Sequence, residues 1–169
     1  MNDAFHYTIP PDWGKIEDAS EAAIEYLDAH DLSPDAVATV NMVLCELIEN
    51  ALKYGNFVES EDTVSMSVEL SDSAVTVAVT NPVHHESLKY LQKLDQTVQW
   101  IRGHHDPFEA YVQRLKEISK KPLTDEESGL GLARIAYEGQ AIIDFIVDND
   151  DSLTVSAVAS LDDLDGSPA

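Results

Sequence analysis

The sequence predicts an α+β fold, a two-layer sandwich in which helices cover one face of a mixed, mostly antiparallel sheet. Apolar residues alternate along two stretches, 64–79 and 141–161, and each stretch is interrupted by a short polar turn, as in a β-hairpin. Two amphipathic helical segments precede the first hairpin, and more helical sequence separates the hairpins. One face of the hairpin sheet is therefore expected to be buried beneath the helices.

The elements before the first hairpin have clear boundaries. Residues 5–9 alternate and end at two prolines, which predicts a short strand, and residues 16–30 follow as a helix. The strongest helix starts after Ser33, a good N-cap, with Pro34 in the first helical position. We expect this helix to end at Gly55.

After the first hairpin, helical periodicity extends from about 86 to 120 and is interrupted at 103–107, which predicts two helices. A loop and a short helix closed by Gly139 then lead to the second hairpin. The tail at 162–169 is acidic and expected to be flexible.

A chain of 169 residues is long enough to bury one core. We expect a single domain over 1–161, in which 82–128 forms a helical lid or insertion.

The charge is strongly negative, with 10 Lys and Arg against 32 Asp and Glu and a net charge of −22. A broad nucleic-acid footprint needs clustered basic residues, so nucleic acid and anionic membrane surfaces are poor partners. The acids are spread along the chain, which favours a role in solubility over one patch for a basic partner. One cysteine, no visible signal peptide and no long apolar run predict a cytoplasmic protein.

The helix that ends at Gly55 contains the first candidate chemistry. Glu46 and Asn50 are four residues apart and share a face, and Lys53 lies on the same broad side. A carboxylate beside an amide oxygen is suited to a hard cation such as Mg²⁺. On its own, this pattern more often marks a solvated helix face.

A second candidate lies downstream in "SGLGLARIAYEG", where Gly129 and Gly131 come directly before a helix. Two glycines allow backbone N–H groups to approach an anion, and a helix start adds donors. A tight loop is an equally good interpretation of this segment alone.

Together, "ELIENALKYGN" and "SGLGLARI" resemble the asparagine box and the second glycine box of the histidine-kinase-like ATPase fold shared by DNA gyrase, MutL and sensor kinases. The resemblance extends from about Ser33 to Leu161. It implies ATP and Mg²⁺ as cofactors, with Asn50 binding Mg²⁺ and Glu46 as the catalytic base. It further implies phosphate neighbours at Lys53, Gly129, Leu130 and Gly131, and an adenine-side threonine at Thr154.

Within the family, the compact length and the E-x-x-x-N spacing are most similar to anti-sigma-factor serine/threonine kinases. Such proteins bind a sigma factor or related regulator and phosphorylate a small antagonist protein, often as homodimers. The resemblance therefore implies a protein partner and an ATP-dependent kinase in a partner-switching pathway.

The sequence departs from the family in its first glycine box, D-x-G-x-G. Asn81 takes the place of the aspartate, and Val83 and His85 occupy the glycine positions. An Asn carbonyl can still accept a hydrogen bond from the adenine amino group, although without charge. The alternative is a non-catalytic module of the same fold that regulates its partner by docking alone.

Overall fold

The structure, a computed structural model, describes residues 4–84, 88–120, 130–149 and 151–166. Five strands, six α-helices and one 3-10 turn (Trp13–Lys15) are found in this part of the chain. Their order is β1 (Phe5–Ile9), α1 (Ile16–Ala29), α2 (Pro34–Tyr54), β2 (Val64–Leu70), β3 (Ala74–Pro82), α3 (Leu88–Arg102), α4 (Pro107–Ile118), α5 (Leu130–Tyr137), β4 (Ala141–Val147), β5 (Ser152–Ser160) and α6 (Leu161–Leu164).

The strands form one sheet in the order β1-β2-β3-β5-β4. The predicted α+β class is confirmed, and all four strand pairings among the described residues are antiparallel rather than mixed. The two hairpins, β2–β3 and β4–β5, meet through the β3–β5 pair. The chain between these two strands contains α3, α4 and α5.

One face of the sheet is buried and the other is open. In β3 the side chains of Val75, Val77 and Val79 are nearly inaccessible, whereas Thr76 and Ala78 between them are partly exposed. The buried face lies against the helical layer, in which α2 has the largest buried surface. Each fully buried Val, Leu or Ile side chain contributes about 1.5–3 kcal/mol, so this interface dominates the stability of the fold.

The ends of α2 are those that the sequence predicted. The Ser33 hydroxyl accepts a hydrogen bond from the Ala36 N–H at 3.2 Å, and Pro34 is the first helical residue. At the other end the Gly55 N–H donates to the Ala51 carbonyl, and Gly55 has an extended backbone, with φ −65° and ψ 151°. A glycine is required at this position, because a Cβ there would lie 2.5 Å from the Ala51 carbonyl oxygen.

The insertion contains the two predicted helices, α3 and α4. Asp106 caps α4, since its carboxylate accepts from the Phe108 N–H at 2.9 Å. Two aromatic side chains of α4, Phe108 and Tyr111, lie with their ring centroids 5.1 and 5.4 Å from that of Tyr137 on α5. The insertion is thus packed against α5, which begins at Leu130 and so contains Gly131 rather than following it as the sequence suggested.

The C-terminal segment differs from the flexible tail that the sequence suggested. Residues Leu161–Leu164 form a short helix in which Leu164 is buried, and the Leu161 N–H donates to the Ser73 carbonyl at 3.0 Å. Leu161 also packs against the core, so two leucines and a backbone hydrogen bond hold this acidic segment in place. Across the described residues, no helix is both long and apolar enough to span a membrane.

Candidate active site

The candidate site forms where α2 meets the first turn of α5. Gly131 is the second residue of α5, and a Cβ placed on it would lie 2.6 Å from Glu46 Oε2 and 3.9 Å from Asn50 Nδ2. These distances show that Glu46, Asn50 and Gly131 come together, as the two sequence boxes predicted. Because Gly131 has no side chain, the Glu46 carboxylate can lie directly against the backbone of α5.

An arginine that the sequence prediction missed completes this cluster. Arg134 Nη1 donates to Glu46 Oε1 at 3.0 Å, and Arg134 Nε donates to Glu138 Oε2 at 2.7 Å. Arg134 comes three residues after Gly131 on α5, so both face α2. The three-residue spacing in "GLGLARI" indicates that Gly131 and Arg134 share a helix face. It does not identify Glu46 on α2 as the partner of Arg134.

The electrostatics of the cluster follow from these contacts. Hydrogen bonds to Glu138 and then to Glu46 raise the pKa of the Arg134 guanidinium, which keeps it charged. Burial raises the pKa of the Glu49 carboxyl, the negative charge of Glu46 raises it further, and Arg134 opposes both effects. A single cation therefore balances two neighbouring carboxylates of α2.

Lys53 does not join the cluster through any described contact. Its Nζ lies 5.2 Å from the centroid of the Tyr54 ring, and that ring stacks on Tyr90 of α3 with centroids 4.3 Å apart. Burial raises the pKa of the Tyr90 hydroxyl, and the neighbouring Tyr54 adds to this effect, so Tyr90 is neutral at physiological pH. Lys53 is exposed, and its role as a phosphate neighbour stays a prediction.

The remaining residues of the second glycine box are only partly described. Leu130 is the first residue of α5 and is half-buried. The predicted phosphate donor Gly129 lies outside the described residues.

The adenine end of the site is built on the last residues of β3. Asn81 is only 3% exposed, and its Nδ2 donates to the Pro82 carbonyl at 3.1 Å. Pro82 O also accepts from the Asn56 N–H at 2.9 Å, and the Val83 N–H donates to Asp151 O at 2.7 Å. Asn81 therefore faces the helical layer at a point where the chain is held by its neighbours. The second substituted glycine position, His85, lies outside the described residues.

Thr154 is not placed in the site. It pairs with Thr80 across the β3–β5 ladder, and the two hydroxyl oxygens are 2.7 Å apart on the open face of the sheet. Directly paired residues share a face and successive residues alternate, so Thr154 lies opposite the face that contains Asn81. The residue paired with Asn81 is Leu153, which is 1% exposed. Thr154, which was expected on the adenine side, is thus one residue away from the position that pairs with Asn81.

The donor set is compatible with a magnesium triphosphate. Asn50 and Glu46 supply neutral and charged oxygen donors, and Mg²⁺ commonly takes one or two protein oxygens and the rest from phosphates and water. A Cβ at Gly131 would collide with the Glu46 carboxylate, so a glycine is needed here for the backbone of α5 to lie this close to the two donors.

Comparison with known proteins agrees with this architecture. A chain of the crystal structure of the SiaB–SiaC complex from Pseudomonas aeruginosa superimposes with a TM-score of 0.70 at 21% sequence identity, covering 92% of this chain and 88% of that one. At this identity the likeness concerns the fold. A search of curated proteins finds no match.

The family described as the histidine kinase-like ATPase domain matches residues 9–137, which include α2, the β2–β3 hairpin, the insertion and α5. With the α2–α5 site and the sheet topology described above, this match shows that the chain belongs to the histidine kinase-like ATPase domain family.

Proposed function

We propose that this protein is an ATP-dependent serine/threonine protein kinase of the anti-sigma type. It binds Mg·ATP and phosphorylates a small antagonist protein in a partner-switching pathway. The observation that carries the proposal is the convergence of Glu46, Asn50 and Gly131 at one point between two helices. Neighbours on one helix could share a solvated face by chance, but a glycine from α5 placed over both side chains indicates a site.

Each residue of the cluster has a role in this proposal. Asn50 holds Mg²⁺, which neutralises triphosphate charge when bound. The backbone of Gly129, Leu130 and Gly131 contacts the phosphates, and Lys53 adds a cation beside them. Asn81 accepts from the adenine amino group through its amide oxygen.

Glu46 is the general base. The substrate hydroxyl oxygen bonds to the γ-phosphorus while the bond from that phosphorus to the β–γ bridging oxygen breaks. ADP leaves with the electron pair of that bond, and the proton of the hydroxyl passes to the Glu46 carboxylate. Glu46 is 19% exposed in its side chain, so it is close to solvent yet sheltered enough to be positioned.

The proposed partner is a protein, either a sigma-factor-like regulator or the small antagonist. The structurally similar SiaB–SiaC chain also comes from a complex of two proteins. A net charge of −22 makes nucleic acid and anionic membranes unsuitable partners. A homodimer and a cytoplasmic location complete the proposal.

Calorimetric titration of Mg·ATP into the wild-type chain and Asn50→Ala tests this function. We expect the wild type to bind and Asn50→Ala to bind at least about 100-fold more weakly, because the metal loses its protein oxygen. Asn41→Ala is the matched control, since Asn41 is on the same helix and bonds to Ser20 at 2.9 Å instead. If the wild type gives neither heat nor a thermal shift at millimolar nucleotide, the kinase proposal is rejected.

A second candidate is regulation by docking alone. It is favoured by the adenine end, where Asn81 bonds back to its own neighbour and a buried valine replaces a glycine. Partner binding that persists while Mg·ATP gives no heat would support this alternative.

A further inference from the structure

Arg134 connects two carboxylates, and it lies in the second glycine-box segment, "SGLGLARI", where the resemblance gave it no role. Its guanidinium donates from Nη1 to Glu46 on α2 and from Nε to Glu138, one turn further along α5. The side chains of Arg134, Glu46 and Glu138 are 42%, 19% and 40% exposed, so Glu46 is the most sheltered of the three. Two separate acceptors fix the plane of the guanidinium, which a single ion pair would not do.

The two carboxylate oxygens of Glu46 have different surroundings. Oε1 is occupied by Arg134, and Oε2 has no hydrogen-bond partner among the described residues. Oε2 is also the oxygen next to the space left by Gly131, since a Cβ there would lie 2.6 Å from it. The oxygen that Arg134 does not hold therefore lies against the backbone of Gly131, in the segment where the proposed function places the phosphates and where a general base must present a free lone pair.

We propose that Arg134 is a positioning residue that holds Glu46 by Oε1 so that Oε2 accepts the proton of the attacking hydroxyl. This role rests on the proposed function, because it requires Glu46 to act as a base. When water is the acceptor, its oxygen bonds to the γ-phosphorus, the bond to the β–γ bridging oxygen breaks, ADP leaves with the electron pair, and the proton passes to Oε2.

The ion pair contributes to geometry more than to stability. Arg134 is 42% exposed, and pairs at that exposure contribute little to folding. Without Arg134, Glu46 would lose its only described anchor and lie beside Glu49 with no cation between the two carboxylates. Loss of the arginine should therefore affect turnover and leave folding and nucleotide affinity nearly unchanged.

The test measures phosphate release from Mg·ATP by the full chain, with water as acceptor, for wild type and Arg134→Ala. We expect a turnover about 10- to 100-fold lower in Arg134→Ala, the scale of a misplaced catalytic group. The dissociation constant for Mg·ATP should stay within about threefold and the unfolding temperature within about 3 °C. Guanidinium ion at tens of millimolar should restore part of the turnover, and Arg134→Lys should retain part of it.

Arg102→Ala is the matched control, because Arg102 donates to Ile143 O at 2.6 Å on β4 and does not contact the cluster. Its turnover should equal that of the wild type with or without guanidinium. Glu138→Gln should lower turnover only a few-fold, since it weakens one of the two anchors of Arg134.

The outcomes separate this proposal from the proposed function. If Arg134→Ala turns over like the wild type, or loses Mg·ATP binding together with turnover, the positioning role is overturned while the kinase proposal stands. If turnover falls but neither guanidinium nor Arg134→Lys restores any of it, the positioning role is also overturned. A wild type that binds Mg·ATP and releases no phosphate to water overturns the positioning role as stated and leaves the kinase proposal standing, because the proposed acceptor there is a protein hydroxyl.

Discussion

The two ends of the candidate site are built differently. At the phosphate end, Glu46, Asn50, Gly131 and Arg134 come from two helices and meet through side-chain contacts across the α2–α5 interface. At the adenine end, Asn81 is buried on a strand and donates to the carbonyl of the next residue. The predicted phosphate end is therefore assembled from two helices that are distant in sequence, whereas the predicted adenine end is held by a hydrogen bond between adjacent residues.

The difference indicates which features of the fold serve the chemistry of the site and which serve the fold alone. Gly131 brings the backbone of α5 against a carboxylate of α2, since a Cβ there would lie 2.6 Å from Glu46 Oε2. The turn after β3, by contrast, is explained by its own hydrogen bonds from Asn56 and Val83.

The largest expected effect comes from filling the space beside Glu46. In Gly131→Ala the new Cβ would lie 2.6 Å from Glu46 Oε2, so the carboxylate must move away from the open side of the site. Phosphate release should fall about 100-fold, as for a displaced catalytic group. The unfolding temperature should change by no more than about 2 °C, because the colliding atom is the end of a flexible side chain.

Gly139→Ala is the structural control for that experiment, since Gly139 closely follows the same helix. A Cβ there would meet the Ile135 carbonyl oxygen and would lie 2.7 Å from Val43 Cγ2, which are fixed by the backbone and the core. It should destabilise the fold by about 2 kcal/mol, and its folded fraction should bind Mg·ATP normally. Equal thermal shifts for the two variants would contradict the distinction between a functional and a packing glycine.

An intermediate effect is expected at the adenine end. Asn81→Ala removes the amide oxygen that would accept from the adenine amino group, so the affinity for Mg·ATP should fall about tenfold. The affinity for magnesium tripolyphosphate, which has no base, should not change. Calorimetry with both ligands checks this, and Asn50→Ala should weaken both. A loss of tripolyphosphate binding in Asn81→Ala would show that the two ends are not separable.

The smallest effect concerns Glu49, the second carboxylate at the phosphate end. Its pKa is raised in the folded protein by burial and by Glu46, so the folded state holds its proton to higher pH than the unfolded chain does. Ionised Glu49 therefore lowers stability at neutral pH, and this penalty disappears as the pH falls below the usual carboxyl range. Glu49→Gln should raise the unfolding temperature by about 1 °C at pH 7 and give no gain near pH 3.

Thermal unfolding at the two pH values, with the exposed Glu25→Gln on α1 as a control for net charge, checks this prediction. A gain for Glu49→Gln at pH 7 that matches the control, or that persists at pH 3, would contradict it.

Much of this protein follows from local sequence. Ser33 and Pro34 start α2, Gly55 ends it, and alternation marks both hairpins, because capping and hydrophobic periodicity are properties of neighbouring residues. The same locality placed Glu46 and Asn50 on one helix face. Gly131 could be assigned to the same site only because the two motifs, in this order along the chain, resemble those of a known family.

The tertiary structure decided what depends on contacts between elements distant in sequence. Arg134 is 88 residues from Glu46 in the sequence. The position of Arg134 on α5 therefore could not predict its contact with Glu46. Thr154 was misplaced because the face of a β-strand residue depends on its register with the neighbouring strand, and β5 pairs Leu153, not Thr154, with Asn81. Periodicity determined which segments form helices and strands, whereas packing and register determined which of their polar side chains meet.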